Sequence, residues 1–172
     1  ANIWNGSIEG NYWNDYIGVD QNSDGIGDQD YTINENNIDH FPLMGTLFSF
    51  NTSSGISIYT ISNSTISNFN YEPHTTTIRF TVNGPDGTVG FCRIRIPHKL
   101  INGTYYVTID NVEPDLANYS LYDDGKNRWL YFAYEHSPHE VVIVSEFKSL
   151  TIMLLFMIIT LLAVTVYERK VT

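Results

Sequence analysis

Alternation of apolar and polar residues runs through the middle of this chain. Ile78, Phe80 and Val82 alternate with Arg79 and Thr81. Cys92, Ile94 and Ile96 alternate with Phe91, Arg93 and Arg95, and Tyr105, Val107 and Ile109 form a third set. Side chains on a strand point to the two faces of a sheet in turn, so this period buries one set and leaves the other outside. An amphipathic helix has a different period. Turn chemistry separates the runs: Gly84-Pro85-Asp86-Gly87, Asn102-Gly103 and Asp123-Asp124-Gly125-Lys126-Asn127. Further strands are expected around Tyr119–Leu121, over Trp129–Tyr134 and over Glu140–Val144. About seven or eight short strands over residues 56–145 suit an immunoglobulin-like β-sandwich. Phe80 and Ile94 then face inward, and Cys92, the lone cysteine, is a small core residue with no disulfide partner in the chain.

Upstream, Asp20-Gln21-Asn22-Ser23-Asp24-Gly25-Ile26-Gly27-Asp28 places side-chain oxygens at Asp20, Asn22, Asp24 and Asp28. Ca²⁺ takes six to eight oxygens, and a short loop supplies them when alternate side chains turn inward. Gly25 permits the sharp turn, and the Ile26 carbonyl is then placed to serve as a further ligand. Three carboxylates this close repel unless a cation sits among them. The loop is not a full helix–loop–helix hand, because Tyr31 stands where a bidentate Glu is expected. Asp15, Asp30, Asp39 or water would complete the shell. The alternative is an Asx-rich solvated turn without an ion.

The chain closes with Leu150–Tyr167, a run without charge that would rise ~27 Å as a helix. Arg169 and Lys170 follow and favour a cytoplasmic tail over 168–172. That topology puts residues 1–147 outside the cell. Asn5, Asn51, Asn63, Asn102 and Asn118 each begin a glycosylation sequon. A net charge of −10 excludes a nucleic-acid partner, which requires a basic face. Residues 1–45 hold the calcium loop and are too few to bury a core unaided. Residues 46–55 read as a Ser/Thr/Asn-rich linker, and 146–149 as a second linker before the membrane helix. Ala1 is not an initiating Met, so the chain is expected to be part of a longer surface protein.

Chemistry is sparse. No nucleophile elbow or phosphate loop is present, and the loop carboxylates suit one cation better than acid and base roles. No enzyme activity is expected of this chain. His136-Ser137-Pro138-His139 offers two imidazoles to a transition metal or simply forms a hairpin loop. Tyr12, Trp13 and Tyr16 either stack on sugar rings or seal the end of a core.

Gly10-Asn11-Tyr12-Trp13-Asn14-Asp15-Tyr16, the calcium loop, Tyr31-Thr32-Ile33 and Asp39-His40-Phe41-Pro42-Leu43-Met44 together resemble the segment that closes the right-handed parallel β-helix of NosD-like archaeal surface proteins. Phe80–Cys92, Ile94-Arg95-Ile96-Pro97 and Leu130–Ser137 resemble the sandwich that follows in such proteins. The resemblance implies a membrane-anchored cell-surface protein whose β-helix lies upstream of Ala1. Its partners would be the membrane, glycans or other surface proteins. Relatives often carry Pro-Glu-Phe-Pro before the membrane helix. Here Ser145-Glu146-Phe147-Lys148 lacks both prolines, which points to a retained anchor. The resemblance also leaves open a carbohydrate-binding or polysaccharide-degrading protein whose groove lies in that β-helix.

Overall fold

The structure, a computed structural model, describes residue 6 and residues 8–114, 119–145 and 157–160. It is mainly β. Two strands, β1 (Tyr31–Asn34) and β2 (Asn37–Asp39), pair as a small hairpin in the N-terminal segment. Nine more follow: β3 (Thr46–Asn51), β4 (Ser57–Ser62), β5 (Thr65–Glu72), β6 (Thr77–Asn83), β7 (Val89–Pro97), β8 (Tyr105–Ile109), β9 (Tyr119–Asp123), β10 (Asn127–Glu135) and β11 (His139–Ser145). They form a five-stranded sheet ordered β3-β4-β7-β10-β9 and a four-stranded sheet ordered β5-β6-β11-β8. All the pairings are antiparallel.

The alternating residues explain the layers. Phe80, Val82, Cys92, Ile94, Ile96, Leu130, Phe132, Val141 and Ile143 are each almost fully buried in one cluster drawn from both sheets. Phe80 and Ile94 face inward as their phase requires. Burial pushes the Cys92 thiol far up, so it stays protonated and inert. The nine strands and their order differ from the seven-strand immunoglobulin arrangement, in which the central strand E lies between B and D. Here β7 pairs with β4 and β10. The likeness therefore extends to a two-sheet antiparallel sandwich.

The boundary at residue 56 needs correction. Residues 46–51, assigned to a linker, form edge strand β3 against β4. Phe48 and Phe50 alternate within the Ser/Thr/Asn-rich stretch and pack against the core, and Phe50 stacks on Phe69 with centroids 3.9 Å apart. Only 52–55 is a connection, closed by Gly55 donating to the Thr52 carbonyl. The sandwich thus begins at Thr46.

The membrane span assigned to Leu150–Tyr167 lies outside the described residues, apart from a helical turn at 157–160. Among the described residues no helix is long and apolar enough to cross a membrane.

Residues 8–45 have little regular structure. They lie on the outer face of the five-stranded sheet, where Ile26 and Leu43 bury against Ile61 of β4 and Phe91 of β7. That is the neighbour such a short segment requires. Asp39 organises the segment from within. It is fully buried, and its carboxylate accepts the backbone N–H of Asn11 at 2.7 Å, the indole N–H of Trp13 at 2.8 Å and the backbone N–H of Phe41 at 3.0 Å.

Candidate functional site

The loop from Asp20 to Asp28 is closed at its base by the Asp28 N–H, which donates to the Val19 carbonyl at 2.8 Å. The Asp28 carboxylate also accepts the Gln21 N–H at 2.6 Å. At the turn, Asp20 accepts the N–H groups of Asp24 at 3.1 Å and Gly25 at 2.8 Å. Asp24 accepts the Ile26 N–H at 2.8 Å and the Asn22 amide at 3.1 Å. Short Asx side chains fold the backbone about themselves in this way. Burial pushes the Asp20 carboxyl up, and the charge of Asp24 pushes it further, against the N–H groups of Gly25 and Asp24. Among the described residues no lysine or arginine forms a salt bridge with Asp20, Asp24 or Asp28.

Asp20, Asn22 and Asp24 are thus gathered at the turn, while Asp28 is turned to Gln21. Among the described residues no three His, Cys, Asp or Glu side chains stand close enough to hold a metal ion as they are. Ile26 enters the loop through its backbone, but its side chain is 6% exposed and anchors the loop to the sandwich. Pairing with residues 42–44 uses the Gly25 carbonyl and the Gly27 N–H, one residue to either side of the Ile26 carbonyl.

Gly25 has two reasons to be glycine. Its φ of +78° belongs to the left-handed region, which a side chain disfavours. A Cβ there would also lie 3.0 Å from Cδ and 3.2 Å from Cβ of Arg93. The second reason is tertiary: the loop rests directly on β7.

The other candidates resolve differently. Asp15 accepts the Tyr31 hydroxyl at 2.8 Å, Asp30 pairs with His40 at 3.0 Å, and Asp39 serves the N–H groups described above. These bonds commit all three away from the loop. His136 and His139 do not form a metal pair. His136 is buried, with Nε2 at 2.8 Å from the Ser64 hydroxyl and Nδ1 bonded to the Thr88 hydroxyl. His139 pairs with Asp110 at 2.6 Å. Trp13 stacks on Tyr31 at 4.6 Å, and the Tyr16 hydroxyl donates to the Gln29 carbonyl at 2.6 Å, so both rings pack within the segment, while Tyr12 is 48% exposed. Among the sequons, Asn51, Asn63 and Asn102 are exposed. The Asn63 side chain also bonds β7, donating to Val89 and accepting from Phe91, both at 2.9 Å. Asn5 and Asn118 lie outside the described residues.

One feature was missed at the level of sequence. A cleft of about 440 Å³ opens between the loop and the outer face of the five-stranded sheet, lined by Asn22, Asp24, Arg93, Tyr122, Trp129 and Tyr131 among others. Its signal was available: the outward phases of β7 and β10 carry rings and guanidinium groups instead of small polar residues.

No family model matches the chain, and no curated protein or solved structure matches it either.

Proposed function

We propose that this chain is the calcium-stabilised, membrane-anchored end of a cell-surface protein, serving as a non-catalytic structural or interaction module. The observation that carries the reading is the gathering of Asp20, Asn22 and Asp24 about the Gly25 turn, with no salt bridge from a lysine or arginine to either carboxylate among the described residues. A Ca²⁺ ion there would draw on Asp20, Asn22, Asp24 and the Ile26 carbonyl. Asp28 would join by leaving the Gln21 N–H. The ion's chemistry is structural: it offsets carboxylate repulsion and holds the loop against the sandwich. In this reading residues 1–45 close an upstream β-helix of the NosD-like kind and the sandwich stands outside the cell. Leu150–Tyr167 spans the membrane, and glycans stand on exposed sequon asparagines such as Asn51 and Asn102.

Thermal unfolding of the full chain in millimolar calcium and in chelator tests the metal. Binding to the folded state alone should add roughly 2.7 kcal/mol at ~100-fold excess over Kd. Asp24→Ala should abolish the gain, and Asp86→Ala, in the turn before β7, should keep it. Identical unfolding with calcium and with chelator would reduce the loop to an Asx turn. Topology is tested separately, by treating intact cells with protease. A tag placed after Thr172 should survive while the sandwich is removed, and the reverse pattern would overturn the orientation.

A further inference from the structure

We propose that the cleft between the calcium loop and the outer face of the sandwich binds a neutral sugar ring of a glycan. This inference stands on the cleft alone and does not need the loop to hold calcium. The volume of about 440 Å³ lies within the roughly 300–1,000 Å³ of small-ligand sites. Its lining joins apolar rings to a few convergent polar groups. Trp129, 6% exposed, forms the floor, and Tyr122, 64% exposed, stands at the rim with its ring centroid 5.3 Å from that of Trp129. Tyr131 lines the cleft from β10, beside the carboxylates of Asp20 and Asp24. A sugar ring presents an apolar face to such rings and hydroxyls to groups around them.

Charge selects among possible occupants. Asp24 and Asp124 both line the cleft, and the chain carries a net charge of −10, which disfavours uronic or sulfated sugars. A cationic ligand is disfavoured too. The Arg93 guanidinium already lies 5.9 Å from the centroid of the Trp129 ring and is held there by Glu9 at 2.6 Å. What remains is a neutral polyhydroxyl ligand. The carboxylates and the Asn22 amide can bond its hydroxyls.

The test is a saturation-transfer NMR and calorimetric titration of the full chain, in a detergent without a sugar headgroup. The probes are glucose, galactose and mannose, their neutral oligosaccharides, and an oligouronate as the acidic control. Every titration is run both in calcium and in chelator. At least one neutral saccharide should bind, and the oligouronate should bind more weakly. Tyr122→Ala, at an exposed position that the fold tolerates, should weaken that binding at least tenfold, whereas Tyr12→Ala, on the N-terminal segment, should leave it unchanged. Binding in calcium but not in chelator, with the Tyr122 dependence intact, would support the sugar site and add that the loop must be ordered by the ion. Saccharide binding with no calcium effect on stability would sink the metal reading and leave this one standing. The proposal is overturned if no neutral saccharide binds, if the oligouronate binds more tightly, or if Tyr122→Ala leaves the affinity unchanged.

Discussion

The N-terminal segment and the sandwich are stabilised by different physics within one chain. The sandwich is held by apolar burial: fifteen buried residues from both sheets form a single cluster with Leu100 and Ile101 of the connection after β7. Among its described residues the segment buries Ile26 and Leu43 against the sandwich, with Phe41 and Met44 partly buried beside them. Beyond the small hairpin and backbone pairing, its order rests on carboxylates that accept backbone N–H groups, Asp39 at its centre and Asp20, Asp24 and Asp28 in the loop. Apolar burial is non-directional and tolerates surface change. An arrangement built on buried or half-buried carboxylates is sensitive to every charge, ion and proton that reaches it. The sandwich is therefore the platform, and the segment is the part that conditions can alter.

The largest effect should come from the platform. Phe80→Ala removes a side chain that is 1% exposed and should cost ~3–5 kcal/mol in chemical denaturation, while Thr81→Ala on the opposite phase should cost little. Equal small losses would mean that the cluster is not what holds the sheets together. Next is Asp39→Ala, which orphans three N–H donors at about 1–3 kcal/mol for each group left buried and unpaired. Hydrogen exchange should then accelerate across residues 10–45 while β6 and β7 keep their protection. Loss of protection in both regions together would make them one cooperative unit and break the contrast.

Gly25→Ala sharpens the comparison at the seam. It forces a side chain into a left-handed φ and against Arg93, so it should lift the loop off β7 without unfolding the sandwich. A rise in protease sensitivity limited to residues 18–45 is the expected readout. Full protection would mean that the loop does not rest on β7.

The smallest effect is a pH dependence within the sandwich. The hydrogen bond to Asp110 pulls the His139 pKa up, and the same bond holds the Asp110 carboxyl down. The contribution of His139 is full below its unfolded value of 6.5 and is lost as pH rises through its higher folded value. The contribution of Asp110 is present above 3.8 and is lost as pH falls through its lower folded value. The pair therefore helps most between these two unfolded values. Asp110 is half exposed, so solvent screening limits the gain to at most about 1 kcal/mol. Asp110→Asn should narrow the stability difference between pH 5.5 and pH 9, taken as approximate points inside and above that window. An unchanged difference would remove the pair from the account.

Strand phase was legible from residues alone, because a period of two is local and needs no knowledge of neighbours. That is why Phe80, Cys92 and Ile94 could be placed inward and the turns at Gly84–Gly87 and Asp123–Asn127 located. The Gly25 turn and the alternate oxygens of Asp20, Asn22 and Asp24 were legible for the same reason. Strand β3 was not, since abundant Ser, Thr and Asn masked the alternation of Phe48 and Phe50. Strand order was beyond the sequence as well, because many pairings satisfy the same set of strand phases. Only the tertiary structure decided what the loop faces. It turned Asp28 to Gln21, committed Asp15, Asp30 and Asp39 elsewhere, buried the Ile26 side chain, and brought Asp24 beside Arg93, Trp129 and Tyr131 from strands some seventy and one hundred residues away. Local spacing determines which atoms can turn together. Which surfaces then meet depends on packing between distant segments, and no spacing encodes it.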